Sequence, residues 1–149
     1  MADFSGHSEI YIPKKENFGA NTMITNFYEP KEIKKKYQIQ VKRLDNYIIK
    51  NINFENIGLI KIYVEGFEFF VLKGMENFFK LKCRNLPPLL VEITPSFYRS
   101  SEIGLKDLKD YMESYSYSAF TIDEKYKIDL MSLENTQNPI DILFKLKSN

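Results

Sequence analysis

Two apolar runs, Ile57 to Val64 and Leu89 to Thr94, flank a stretch with a helical rather than a strand period, and this pattern leaves few folds open. The first run is apolar on both faces apart from Lys61 and Tyr63, as a sheet strand covered on two sides should be. It finishes on Glu65-Gly66. Phe69, Leu72, Met75 and Phe79 then recur every three or four residues, a core-facing helical stripe with Gly74 as a bend between two segments. The second run follows Pro87-Pro88 and is stopped by Pro95. Strand, helix and strand in this order imply a parallel pair joined by a right-handed crossover.

The flanks extend the pattern. Ile10 and Ile12 alternate with Glu9 and Tyr11 up to Pro13, and a polar loop through Gly19 leads to a second predicted strand over Asn21 to Tyr28, so the chain is expected to open with a β-hairpin. Ile39 and Val41 alternate with Gln38, Gln40 and Lys42, and Asp45 is placed to cap a short helix through Tyr47, Ile48 and Ile49. Leu105, Leu108, Met112 and Tyr115 form another amphipathic stripe, after which Ala119 to Ile122 and Ile140 to Leu146 read as two closing strands, antiparallel at an edge. The expected fold class is α/β, with a mixed sheet.

At 149 residues, with 44% hydrophobic and 15% aromatic content, one core and one domain spanning 1–149 are expected. The 21 basic and 20 acidic residues nearly cancel, so no global field draws the protein to nucleic acid or to a membrane. Lys34-Lys35-Lys36 is read as a solvated loop rather than a phosphate site. The single cysteine, Cys83, excludes an internal disulfide and a cysteine zinc site, and no metal is expected. His7, the only histidine, sits in a polar turn and reads as a surface side chain. With no leader at Met1-Ala2-Asp3-Phe4 and no apolar run near the ~20 residues that span a bilayer, a cytoplasmic location is expected.

Function is sought where strands end. In open α/β sheets ligands bind at the carboxyl ends of the strands, and Glu65 and Glu92 lie at or beside such ends on consecutive parallel strands. Two carboxylates in one crevice could bind hydroxyls, hold a cation or accept a proton. The plainer alternative makes Glu65 a helix cap and Glu92 a satisfied buried carboxylate.

The motifs Lys42-Arg43-Leu44-Asp45-Asn46-Tyr47, Ile60-Lys61-Ile62-Tyr63-Val64-Glu65-Gly66-Phe67-Glu68, Val71-Leu72-Lys73-Gly74 and Leu90-Val91-Glu92-Ile93 resemble, in order and spacing, the C-terminal part of the FkbM family of S-adenosylmethionine-dependent methyltransferases. The resemblance runs on to Asp141-Ile142-Leu143-Phe144, and back to "ADFSGHSEIYIP" and "FGANTM", which look like the segment after the family's third strand. It implies a partial Rossmann-like, class I methyltransferase fold lacking its first three strands, S-adenosylmethionine as cofactor, and a small-molecule acceptor, a sugar or natural product methylated on oxygen. It also implies roles for residues: Tyr63, Glu65 and Glu92 at the reacting centre, Glu65 and Gly66 against the cofactor, Glu68 and Asn21 against the acceptor. Where the family motif has aspartate this chain has Tyr63, a donor without a negative charge at neutral pH.

Two short segments imitate the missing cofactor unit. Gly19-Ala20-Asn21 looks like the family's glycine turn and Tyr28-Glu29-Pro30 like its ribose-binding strand end, but Tyr28 follows Asn21 by only seven positions, too few for a crossover helix. Both are expected to be loop and hairpin. Two alternatives to an enzyme follow: a catalytically silent remnant that binds a small molecule or protein through the Glu65 and Glu92 crevice, and a structural subunit that completes its sheet against another chain, an exposed edge also inviting self-association.

Overall fold

The computed structural model describes residues 1–14, 21–24, 28–52, 56–81, 86–100 and 102–147. Cys83 lies outside them, as does Gly19 with its loop. Strand β1 (Gly6–Pro13) pairs antiparallel with β2 (Ile33–Val41), from Gly6 opposite Val41 to Pro13 opposite Ile33. The hairpin is therefore present, but its second strand is not the segment 21–28. Of that segment, Thr22 makes a single bridge to Tyr11, Tyr28 lies in a bend, and 25–27 fall outside the described residues. Strand 33–41 pairs with β1 along its whole length, from Val41 opposite Gly6 to Ile33 opposite Pro13, whereas Thr22 is the residue of the earlier segment that bridges to β1 among the described residues. Lys34, Lys35 and Lys36, expected in a loop, are exposed residues of β2.

The main sheet holds β3 (Ile60–Ile62), β4 (Leu89–Ile93), β5 (Tyr117–Phe120) and β6 (Ile140–Leu146) in the order β3-β4-β6-β5. β3 and β4 are parallel; β6 runs antiparallel to both of its neighbours. The parallel pair and the antiparallel closing pair agree with the sequence reading. The last strand, however, inserts between β4 and β5, so β5 forms the edge. β3 is only three residues long, much shorter than its apolar run, because Gly58 and Leu59 before it are exposed and the chain turns at Glu65-Gly66 after it. Leu89, Val91 and Ile93 on β4 are completely buried, as are Ile142 and Phe144 on β6, except for a trace at Phe144.

Helices cover this sheet. The predicted stripe after β3 becomes α2 (Glu68–Lys73) and α3 (Glu76–Phe79), separated at Gly74 as expected. A Cβ on Gly74 would lie 2.0 Å from the backbone oxygen of Ala2, so only glycine lets the N-terminal segment cross the bend. α4 (Pro95–Ser100) starts directly after β4, and α5 (Leu105–Ser114) buries the predicted Leu105, Leu108 and Met112. Phe79 gathers Tyr111, Tyr115 and Tyr117 around it at centroid distances of 5.1 to 6.4 Å, so the phenylalanines of this region pack core rather than form an exposed platform. Among the described residues no helix is long and apolar enough to cross a membrane.

Asp45, expected as a helix cap, plays a different part. α1 (Leu44–Asn51) begins two residues earlier than a cap at Asp45 would set it, with Arg43 at its N-cap, and Asp45 sits inside the first turn with no exposed surface. Its carboxylate accepts from Arg43 Nε and Nη2 at 3.2 and 2.7 Å, from the Asn46 amide at 2.6 Å and from the Asn77 amide at 3.1 Å. Burial opposes its ionisation, but these donors prevail and hold the carboxyl below its ordinary range. Arg43 Nη1 also donates to Asp3 O at 2.8 Å, so this one ion pair joins the N-terminal segment, α1 and α3.

Candidate functional site at the strand ends

The chain leaves β3 through a tight turn. Glu65 has a φ of 49° and Gly66 a φ of 90°, both left-handed, and the Phe97 ring of α4 lies against Gly66 so closely that a Cβ there would meet it at 2.6 Å. Thr22 Oγ1 donates to Glu65 O at 3.0 Å and fastens the N-terminal region onto the turn. Glu68, fully buried at the start of α2, turns its carboxylate back so that Oε1 accepts from Gly66 N at 3.0 Å. The expected capping role of Glu65 is not what the geometry gives: α2 has Phe67 at its N-cap with no side-chain cap, and Glu68 is the residue that secures the turn.

Four acidic side chains and a phenol lie within electrostatic reach of one another beyond this turn. Tyr63, half-exposed just past β3, is influenced most by Glu92 of β4, and this, with burial and the charges of Asp141 and Glu65, pushes its hydroxyl up to about 12. Glu92 is 7% exposed and lies directly opposite Asp141 of β6 in the antiparallel register. Glu65 is raised by burial first and then by the Glu92 charge. Glu68 is pushed up to about 7: burial raises it, the amides of Glu68, Gly66 and Val64 pull it back, and Glu92 adds to the rise. Glu65, in the turn after β3, and Glu92, near the end of β4, lie at the carboxyl ends of the parallel pair, and the charge of Glu92 reaches Glu65. Among the described residues no three acidic, histidine or cysteine side chains are placed to hold a metal ion.

Buried polar atoms without partners collect at the same end. Glu68 Oε2, Thr94 Oγ1, Tyr98 Oη and Asp141 Oδ1 are the buried side-chain atoms of the described residues that lack a hydrogen bond, and all belong to the turn after β3, the segment after β4, or the start of β6. Each such atom costs about 1 to 3 kcal/mol if nothing pairs it. Beside them is a cavity of about 360 Å³ between α2 and α4, walled by Gly66, Phe69, Phe70, Phe97, Tyr98 and Ile103, with Glu102 also at its lining.

Of the residues singled out in the sequence, Tyr63, Glu65, Gly66, Glu68 and Glu92 are brought together here. Asn21 is half-buried and reaches this end only through its neighbour Thr22, which makes the bond to the turn. Tyr28 of the ribose-like segment is also near, its phenol raised by burial and by the charges of Glu65 and Glu32. Asp141, Thr94 and Tyr98 were missed. Thr94 lies two residues after Glu92, just past the end of β4, a proximity visible in the sequence; Asp141 becomes a neighbour through the pairing of β6 with β4, which no local pattern announces.

No curated protein and no solved structure matches the chain. A family model for the methyltransferase FkbM domain matches residues 4–119, which include β1 to β4, every residue of the strand-end cluster except Asp141, and all but the last residue of β5. The match stops short of the Asp141 to Phe144 stretch. That family implies a Rossmann-like fold and dependence on S-adenosylmethionine. The chain belongs to the FkbM methyltransferase domain family.

Proposed function

We propose that this chain supplies the methyl-acceptor side of an S-adenosylmethionine-dependent O-methyltransferase, acting on a hydroxyl of a sugar or small natural product rather than on nucleic acid or a membrane. The observation that carries this reading is the convergence of Tyr63, Glu65, Glu68, Glu92 and Asp141 at the carboxyl end of the parallel pair, beside a cavity and with unpaired buried polar atoms around it.

The residues present fit the cofactor in part. An acidic cluster suits the positive charge of a sulfonium, but ahead of β3 the described residues include no buried strand, glycine turn and helix to cradle a nucleoside. When bound, that group supplies an activated methyl. The chain's own residues hold the acceptor hydroxyl and receive its proton. Glu65 is the base in this reading, since burial and Glu92 raise its carboxyl towards a useful range. Tyr63 and Glu92, which lie within electrostatic reach of each other, orient the acceptor hydroxyl.

The same reading assigns the open edge of β3 to further strands that carry the cofactor unit within the single domain, from a longer polypeptide. Ile60 N donates to Pro88 O at 3.0 Å on the β4 side, so the N–H and C=O of Lys61 face away from β4 towards that edge. A second copy of the chain is the alternative occupant. A binding module without catalysis is the competing reading, favoured by the phenol of Tyr63 where the family motif has aspartate. Calorimetric titration of the chain with S-adenosylmethionine decides between them. Saturable heat below millimolar concentration, strengthened in Tyr63→Asp, supports the enzyme; silence at millimolar cofactor removes catalysis by this chain alone.

A further inference from the structure

We propose that the cavity between α2 and α4 binds a compact ring-bearing molecule with one hydroxyl, a phenol or aryl alcohol, in preference to a polyhydroxylated sugar. The role of acceptor for that molecule rests on the methyltransferase reading; the binding does not. At about 360 Å³ the cavity lies near the small end of the range for ligand sites. Its walls are rings and aliphatic chains: Phe69, Phe70, Phe97, Tyr98, Ile24 and Ile103. Gly66 contributes backbone only, and the room that its missing side chain leaves is taken by the Phe97 ring, itself a wall of the cavity. Glu102 is exposed, so it can stay in water.

Such a lining suits a flat apolar ring, which gains by stacking on aromatic side chains. It suits a sugar badly, because each hydroxyl taken from water without a partner costs about 1 to 3 kcal/mol. One hydroxyl, however, is wanted. Tyr98 lines the cavity, is 7% exposed and has no partner for its Oη; Glu68 lies behind the wall, within electrostatic reach of that phenol. A ligand hydroxyl both donates and accepts, so a single one can pair with the Tyr98 phenol in either sense.

Titration of the intact chain with 2-naphthol and with methyl glucoside, followed by calorimetry and saturation-transfer NMR, tests this. Saturable 2-naphthol binding at least tenfold tighter than that of methyl glucoside is expected. Ile103→Trp, which fills the cavity, should weaken it about tenfold or more, and Tyr98→Phe, which keeps the ring and removes only the hydroxyl, about threefold to tenfold. Equal or tighter binding of methyl glucoside, no saturable binding of 2-naphthol, or 2-naphthol binding indifferent to Tyr98→Phe would overturn the proposal. Variant-sensitive 2-naphthol binding by a chain that ignores S-adenosylmethionine would leave this site standing and remove the methyltransferase reading instead.

Discussion

Glu68 has no exposed surface, and one of its two carboxylate oxygens has no partner, so its charged form is held in place by amides and opposed by burial. Its pKa of about 7, against an ordinary 4.5, means that the native state keeps a proton which the unfolded chain has already released. Stability therefore falls as pH rises from about 4.5 through 7, by at most about 3 kcal/mol. Glu68→Gln keeps an acceptor for Gly66 N and abolishes the titration. Urea unfolding at pH 5 and pH 8 should show wild type losing ground to Glu68→Gln between the two, and parallel curves would refute the assignment. The sequence placed Glu68 one turn beyond the strand end. Its burial could not be read there, because that depends on α4 closing over the turn with Phe97 and Tyr98.

At the scale of elements, the Arg43–Asp45 pair fastens pieces that local propensity leaves separate. Asp45 binds its own helix through Asn46 N and α3 through Asn77 N, and Arg43 reaches Asp3 O. Asp45→Asn leaves Arg43 without its charge partner, and breaking a buried pair on one side costs about 3 kcal/mol. The loss is expected in full at neutral pH. Because the native carboxyl is held below its ordinary 3.8, the difference between wild type and Asp45→Asn should shrink as pH falls below about 4. Denaturant melts across pH 3 to 7 measure both. In the sequence Asp45 looked like a cap, since Asp before an apolar-periodic segment commonly is one. The preference for a buried ion pair came from Arg43, two residues earlier, and from Asn77 across the fold.

For the molecule as a whole, the sheet ends on one side at β3, a strand of three residues with an unpaired edge among the described residues and with Leu59 and Tyr63 exposed at its two ends. An open edge of this kind invites pairing. Under the proposed reading further strands cover it; in solutions of this chain alone, a second copy is expected to do so. Lys61→Pro deletes an edge N–H while sparing the Ile60 and Ile62 positions that face β4. Light scattering should then show the apparent mass moving towards the 17.6 kDa of the monomer. A wild-type chain that is monomeric at high concentration would count against association through this edge.

What the residues settled by themselves is local and periodic. The doubly apolar runs, the three-to-four spacing of Phe69, Leu72, Met75 and Phe79, and the punctuation by Gly74 and Pro95 specified a parallel strand pair with a helical crossover, because each depends on neighbours in the chain. The four spaced motifs from Lys42 to Ile93 sufficed for the family. Only the tertiary structure decided that β2 rather than 21–28 partners β1, that β6 enters between β4 and β5, and hence that Asp141 faces Glu92. Pairing between distant segments is chosen by the sum of contacts over the whole fold, and no window of sequence holds that sum.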